Sequence, residues 1–324
     1  MPALEHIKKP IEKEIRVFEE YFRASMKSKV PLLDIVTNYL YRRKGKQLRP
    51  VLVFLSARLN GEPNESTNIA AAMIELLHTA TLIHDDVVDD SYERRGFFSV
   101  YALWKSKISV LVGDFLLSKG LLLAINNKEF ELLHIISEAV REMSEGELLQ
   151  LQKSRKLNIT EEEYLEIIRK KTATLISACV SCGASSVGTT PENMAKLKLM
   201  GEYAGLAFQI KDDLFDYEKD CLTGKPRGND IKEKKLTLPL IHALSQSSDS
   251  ERKRIKKLIR NNNNKSKTIG EIIDYVINKG SVTYAVEKME DYRMKAVEVL
   301  KEFPDNEART ALIELLSYIT TRNK

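Results

Sequence analysis

Apolar residues recur along the chain at intervals of three and four, as in Ala72, Leu76, Thr79 and Ile83, or Leu165, Ile168, Thr172 and Ile176. That spacing lines one face of an α-helix. Alternation with a period of two, bounded by turns, is nowhere sustained, so no sheet is expected. Punctuation falls between the periodic segments, at Pro31, Gly45, Pro50, Gly61-Glu62-Pro63, Gly96, Pro191, Gly224-Lys225-Pro226, Gly280 and Pro304. The pattern predicts an all-α chain of about ten to thirteen helices. No linker divides it, and the polar tract Asn261–Lys265 reads as an interhelical turn. One large helical domain over residues 1–324 is therefore expected, whose long helices either surround a cavity or pack solidly; periodicity leaves both open.

Composition narrows the function classes. With 324 residues, 43% hydrophobic and 30% charged, the chain can bury a substantial core and is not a disordered protein. Its longest apolar run, around Val110–Ile125, is interrupted by Asp114 and Lys119, so a membrane span is not expected. Met1–Glu20 is charged and amphipathic and lacks the pattern of a secretory signal; a cytoplasmic protein is expected. A net charge of +5 without a basic block or aromatic stripe argues against a nucleic-acid partner. Cys179, Cys182 and Cys221 make no disulfide framework. The Cys179/Cys182 pair lies in an apolar helical run and reads as helix packing, not as a redox or metal pair.

Two acidic segments carry the chemistry. In Leu82-Ile83-His84-Asp85-Asp86-Val87-Val88-Asp89-Asp90, Asp85 and Asp89 are four apart and share one helix face, about 6 Å apart along the axis. Asp86 lies about 100° around the same helix. Like charges repel at this spacing, and a helix C-terminus disfavours negative charge, so a cation should compensate. The pattern recurs at Lys211-Asp212-Asp213-Leu214-Phe215-Asp216. Hard oxygen donors without His or Cys suit Mg²⁺, which keeps waters and shares substrate phosphates. Neither segment has the central glycine and alternating ligands of a calcium loop.

Basic residues accompany both clusters: Arg94 and Arg95 after the first, and Lys225, Lys234 and Lys235 after the second. Lys46 and Arg49, within Gly45-Lys46-Gln47-Leu48-Arg49-Pro50, adjoin a helix start, and Lys171-Thr172 lies within an apolar helix. Carboxylates, Mg²⁺ and an arginine fork together can bind a diphosphate.

At these residues the chain resembles the trans-isoprenyl diphosphate synthases, the polyprenyl synthetase family, over about Leu33 to Leu316. The likeness includes the Gly45–Pro50 motif, Glu75–Gly96, Gly146-Glu147 with Gln150, Lys171-Thr172, Phe208–Asp216 and Gly224–Pro239. It implies an isoprenoid synthase fold, with helices around a central catalytic cavity, and a set of roles for residues of this chain. Asp85, Asp86 and Asp89 would hold two of three Mg²⁺ ions on an allylic diphosphate, and Asp212 and Asp216 the third. Arg94, Lys171, Lys235 and Gln209 would contact or position the allylic substrate, with Thr172 shaping its site and Lys225 among the binding cations. Lys46, Arg49, His78 and Arg95 would bind the diphosphate of isopentenyl diphosphate. The resemblance also implies a homodimer. Two departures stand out: Phe97-Phe98 where a proline is usual nearby, and Lys234 where glycine is common.

In the family, bulky aromatics one turn before the first cluster stop chain growth. Here Ala80 and Thr81 are small, with Leu76, Leu77, Ala72 and Met73 further upstream. The floor would come from Ile108–Ile125, with Leu117 or Leu121 as candidates. A long product of about forty carbons is expected, made from a farnesyl or geranylgeranyl primer and released with at most peripheral membrane contact. A short-chain farnesyl or geranylgeranyl synthase, a non-catalytic partner subunit and a terpene cyclase are the alternatives.

Overall fold

The computed structural model describes residues 2–43, 45–94, 96–154, 157–218, 228–261 and 266–322. Lys225, Arg95 and Cys221 lie outside them. The helices gather into two compact units. The first comprises Met1–Glu138, Ala178–Lys198 and Lys301–Ile313; the second comprises Ala139–Ser177, Leu199–Leu300 and Glu314–Lys324.

In the first unit, α1 (Pro2–Lys8) and α2 (Glu12–Ser25) are followed by α3 (Pro31–Arg42), α4 (Leu48–Asn60), α5 (Glu65–Val88) and α6 (Val100–Asn126). Asn64 starts α5 through a reciprocal capping box with Thr67, which satisfies donors the first turn leaves open. Helices α5 and α6 pair extensively. The buried row of α6 is Val112, Leu116, Gly120 and Ala124, at the four-residue spacing of one face. Leu121, expected on the cavity floor, instead points outward and is 42% exposed; Leu117 is half-buried. The reason is that α6 is apolar nearly all round, so its sequence does not mark which face is covered.

Between α5 and α6 lies a small hairpin, β1 (Glu93–Arg94) against β2 (Phe97–Phe98), with Arg94 opposite Phe97. It corrects the expectation of no sheet, and two-residue strands are too short to leave a periodic signal.

Chain order continues with α7 (Phe130–Ser154, divided between the units), α8 (Glu161–Ile168) and a π turn (Arg169–Ala173) in the second unit, and α9 (Thr174–Ser186), which passes to the first unit at Ala178. Then come α10 (Pro191–Leu214, in the second unit from Leu199) with a 3₁₀ turn (Phe215–Tyr217), α11 (Asn229–Lys232), α12 (Leu238–Ser245), α13 (Asp249–Arg260), α14 (Ser266–Asn278), α15 (Ser281–Lys301) and α16 (Glu307–Thr321, in the second unit from Glu314). The described residues thus hold sixteen α-helices, more than expected. Short pieces such as α1, α11 and α12 fall below the window in which helical periodicity is readable. The core of the second unit gathers Ile210, Leu214, Leu238, Ile241, Ile255 and Ile272.

Two further features bear on the sequence reading. Helix α6 is long and apolar enough, by length and composition, to cross a membrane, with 33% of its most apolar window buried. Helix α13 gathers Arg252, Lys253, Arg254, Lys256, Lys257 and Arg260, a basic block missing from the sequence reading. Burial, then Arg252 and Arg260, lowers the Lys256 amine below its ordinary range. Cys179 and Cys182 are buried, as expected for helix packing, and burial pushes the Cys179 thiol up to about 12.

Candidate functional site

In the first unit the chain enters α4 through Gln47, whose φ of 54° is left-handed. A non-glycine residue there carries backbone strain, which folds retain where the geometry is used. Arg49 follows in the first turn with Pro50, where a missing backbone N–H costs nothing. Gln47 and Arg49 line a cavity of about 110 Å³ together with Glu75, His78, Asp86 and Arg94. Gln47 Nε2 and Arg49 Nε are buried with no hydrogen-bond partner among the described residues. Donors left so are costly, and a strongly accepting anion at a helix N-terminus would satisfy them. Lys46 is exposed and does not line the cavity.

The hairpin closes one side of this cavity with Phe97 and Phe98. Tyr39 Oη donates to the Phe98 carbonyl at 2.6 Å, and the Arg43 guanidinium lies 3.6 Å from the Phe97 ring centre. The two phenylalanines that depart from the family pattern are therefore anchored to α3.

The first acidic cluster sits on the last turn of α5. Asp85 and Asp89 are exposed, whereas Asp86 is buried. Asp86 Oδ1 accepts from Arg94 Nε at 2.8 Å and Nη2 at 2.7 Å. Asp86 was expected among metal ligands and Arg94 beside the allylic diphosphate. In the structure they form an ion pair at the wall of the cavity that holds Arg49 and His78. Ala80, Leu76 and Leu77 are buried on α5, and Thr81 donates back to the His78 carbonyl at 2.9 Å.

In the second unit, Lys171 and Thr172 lie on the π turn, a wide turn often found at functional positions. Gly146 and Gly205 pack against it. A Cβ on Gly146 would meet Lys171 N at 2.9 Å, and one on Gly205 would meet Ala173 Cα at 2.3 Å. Only residues without a side chain allow this approach. Lys171 Nζ donates to Gln150 Oε1 at 2.8 Å and pairs with Glu147, tying together motifs read separately in the sequence.

A partly buried relay leads from the π turn to the second cluster. Thr172 Oγ1 donates to Gln209 Oε1 at 2.7 Å, and Gln209 Nε2 donates to Asp213 Oδ1 at 2.9 Å. Tyr164 Oη donates to Asp213 Oδ2 at 2.7 Å. These four residues line a cavity of about 100 Å³ with Lys171 and Lys235. Burial, then the nearby Asp230, lifts the Asp213 carboxyl to about 8, although Tyr164 and Gln209 donate to it. Burial and Asp213 raise the Tyr164 phenol well above its ordinary range.

Asp212 and Asp216 are half-buried. Asp212 pairs with Arg322, whose guanidinium lies 4.2 Å from the Phe208 ring centre. Asp216 Oδ2 accepts from the Asp230 backbone N–H at 2.6 Å, and the Asp230 carbonyl accepts from Lys235 N–H at 2.8 Å. Lys234 adopts a φ of 58°, which explains why glycine suits that position. Lys235 pairs with Glu233.

The donor sets suit a hard divalent cation, because both clusters offer only carboxylate oxygens. Among the described residues no three acidic, His or Cys side chains converge on one point; an ion at either cluster would complete its shell with water and substrate oxygens. Sequence reasoning missed Gln47, Tyr164, Asp213 and Arg322. Gln47 and Asp213 lay within motifs read in the sequence; Tyr164 and Arg322 reach partners far off in sequence, Tyr164 lying 49 positions from Asp213.

A family profile described as polyprenyl synthetase matches residues 30–276. Octaprenyl diphosphate synthase of Escherichia coli (strain K12) is 36% identical over 300 residues, 92% of this chain and 93% of the relative. A crystal structure of decaprenyl diphosphate synthase from Rhodobacter capsulatus superposes with a TM-score of 0.93 at 33% identity, covering 99% of both chains. Polyprenyl synthase from Caulobacter crescentus CB15, complexed with calcium and isoprenyl diphosphate, gives a TM-score of 0.91 at 35% identity, covering 99% of this chain and 98% of that one.

Proposed function

The chain belongs to the polyprenyl synthetase family and is a prenyltransferase, and from that premise we propose that it is an all-trans polyprenyl diphosphate synthase making a long product of about forty carbons. It would condense isopentenyl diphosphate repeatedly onto an allylic diphosphate. The observation that carries this reading is the pair of buried, unpartnered donors on Gln47 and Arg49. A terpene cyclase needs one diphosphate site; a chain-elongating enzyme needs a second, and these donors supply it.

Arg49, His78 and Gln47 hold the diphosphate of isopentenyl diphosphate, with Lys46 and Arg95 contributing charge. Asp85 and Asp89, and Asp212 with Asp216, would hold Mg²⁺, three ions per site. Bound Mg²⁺ supplies Lewis-acid stabilisation of the charge growing on departing pyrophosphate. Lys171, Lys235 and Arg94 add fixed positive charge for the same group, and Lys225 belongs with them. Asp86 keeps Arg94 in place. The Thr172–Gln209 pair lines the wall where the allylic cation develops. The isopentenyl double bond attacks that cation, a new carbon–carbon bond forms, and a proton leaves to the released pyrophosphate.

Each added five-carbon unit buries about 4 kcal/mol of apolar surface, so growth continues until a side chain blocks the tail. Ala80 is small, and Ala80→Tyr should shorten the product sharply when products are sized by chromatography; an unchanged length would remove Ala80 from the tail's path. The founding test is incubation with Mg²⁺, labelled isopentenyl diphosphate and farnesyl diphosphate. No incorporation with farnesyl or geranylgeranyl diphosphate would overturn the synthase reading.

The reading extends to a single catalytic domain spanning residues 1–324, working in the cytoplasm as a homodimer. Support for the dimer is the outward apolar row of α6, including Leu111, Leu122 and Ile125, about half exposed in one chain. A patch of that kind marks a contact surface. Leu111→Lys with Leu122→Lys should convert dimers to monomers in light scattering; a wild-type monomer would refute the assignment.

A further inference from the structure

We propose that Arg43 is a further diphosphate-binding cation, held by Phe97 on the wall of the cavity that Gln47, Arg49 and His78 line, where the diphosphate of isopentenyl diphosphate would sit. The inference rests on the synthase reading for its ligand, and it extends that site to the end of α3 and to the hairpin.

Arg43 follows the last residue of α3, and its backbone N–H donates to the Leu40 carbonyl at 3.0 Å. A cation is favoured at that helix end. Its side chain reaches the hairpin, where the guanidinium carbon lies 3.6 Å from the Phe97 ring centre and 5.5 Å from the Tyr39 ring centre. At the shorter distance an edge-on guanidinium would drive a nitrogen into the ring, so the two planes stack. The N–H donors then radiate within their plane, away from the ring, and keep the fork that matches a phosphate. Among the described residues Arg43 has no carboxylate partner. Arg94 differs, because Asp86 neutralises it. The other charged side chains described on the cavity wall are Arg43, Arg49 and Glu75. Arg49 Nε and Gln47 Nε2 already lack acceptors, so the start of α4 and the end of α3 offer donors to one anion. Tyr39 steadies the platform: its Oη donates to the Phe98 carbonyl at 2.6 Å, and Trp104 packs edge-on to its ring at 5.4 Å. Leucine at 97 would keep the hairpin apolar but remove the face on which the guanidinium rests.

The test measures isopentenyl diphosphate binding by calorimetry, with no allylic substrate present, and steady-state condensation with farnesyl diphosphate and Mg²⁺. It compares wild type, Arg43→Gln, Arg43→Lys and Phe97→Leu. Arg43→Gln should raise both Kd and KM for isopentenyl diphosphate about 10-fold. The kcat and the KM for farnesyl diphosphate should stay within about twofold, since the lost contact belongs to one substrate. Arg43→Lys keeps the charge without the fork and should weaken binding about threefold. Phe97→Leu should also weaken it about threefold, but add little in the Arg43→Gln background, because the ring acts through the guanidinium. An unchanged Kd in Arg43→Gln, an equal loss toward both diphosphates, or full additivity with Phe97→Leu would overturn the assignment of Arg43 alone. A wild type that neither binds isopentenyl diphosphate nor yields product would instead overturn the synthase reading, and this inference with it.

Discussion

In the first aspartate cluster the inner carboxylate, Asp86, is held by the charged fork of Arg94; in the second, Asp213 is held by the phenol of Tyr164 and the amide of Gln209. The position in the motif is the same. Turned about 100° from its neighbours' face, the second aspartate of each run points into the protein, and a buried carboxylate needs donors there. One unit answers with a cation and the other with neutral hydrogen bonds. The outer carboxylates, Asp85 with Asp89 and Asp212 with Asp216, stay at least partly accessible. A DDxxD run is thus two devices on one helix end: outer groups that can reach an ion, and an inner group that organises the wall.

The sharpest way to break this comparison is to remove an outer and an inner group in turn. Asp85→Ala should lower turnover by about 10²- to 10³-fold with little change in thermal midpoint. Asp86→Ala should lower the midpoint, since it leaves Arg94 without its partner. If outer and inner variants behave alike in calorimetry and in turnover, the division of labour is wrong.

Packing gives a second, smaller contrast. Gly205→Ala forces a Cβ to within 2.3 Å of backbone in the second unit and should cost about 1–3 kcal/mol. Gly120→Ala on α6 meets its nearest neighbour, the Met73 carbonyl, only at 3.8 Å and should be tolerated. Denaturant titration separates the two. Smallest is Lys234→Gly, which relieves a left-handed backbone and should stabilise by about 1 kcal/mol; a loss of stability would show that the Lys234 side chain matters more than its φ.

Much of this was legible in the sequence because it is local. Four-residue spacing showed the shared faces of Asp85/Asp89 and Asp212/Asp216, and quoted motifs contained Lys171, Thr172 and Gln209. Orientation was less legible. Leu121 looked inward-facing because α6 is apolar on every side, so nothing in its pattern separates covered from open positions. The relay through Tyr164 was invisible, since it joins residues whose neighbourhood only folding creates. Arg322 is a similar case, reaching Asp212 across 110 positions.

The π turn has a consequence for how this chain tolerates insertion and loss. Thr174 N–H bonds back to the Arg169 carbonyl, one residue further than an α-helix would reach. That extra residue acts as a phase shift. It lets α8 bury Tyr164, Ile167 and Ile168 while the start of α9 buries Leu175 and Ile176, about 100° out of phase with straight continuation. Deleting a single residue within Arg169–Ala173 would leave nearly every side chain present yet turn one helix against the other. The damage would be spread along α9 rather than confined to the turn.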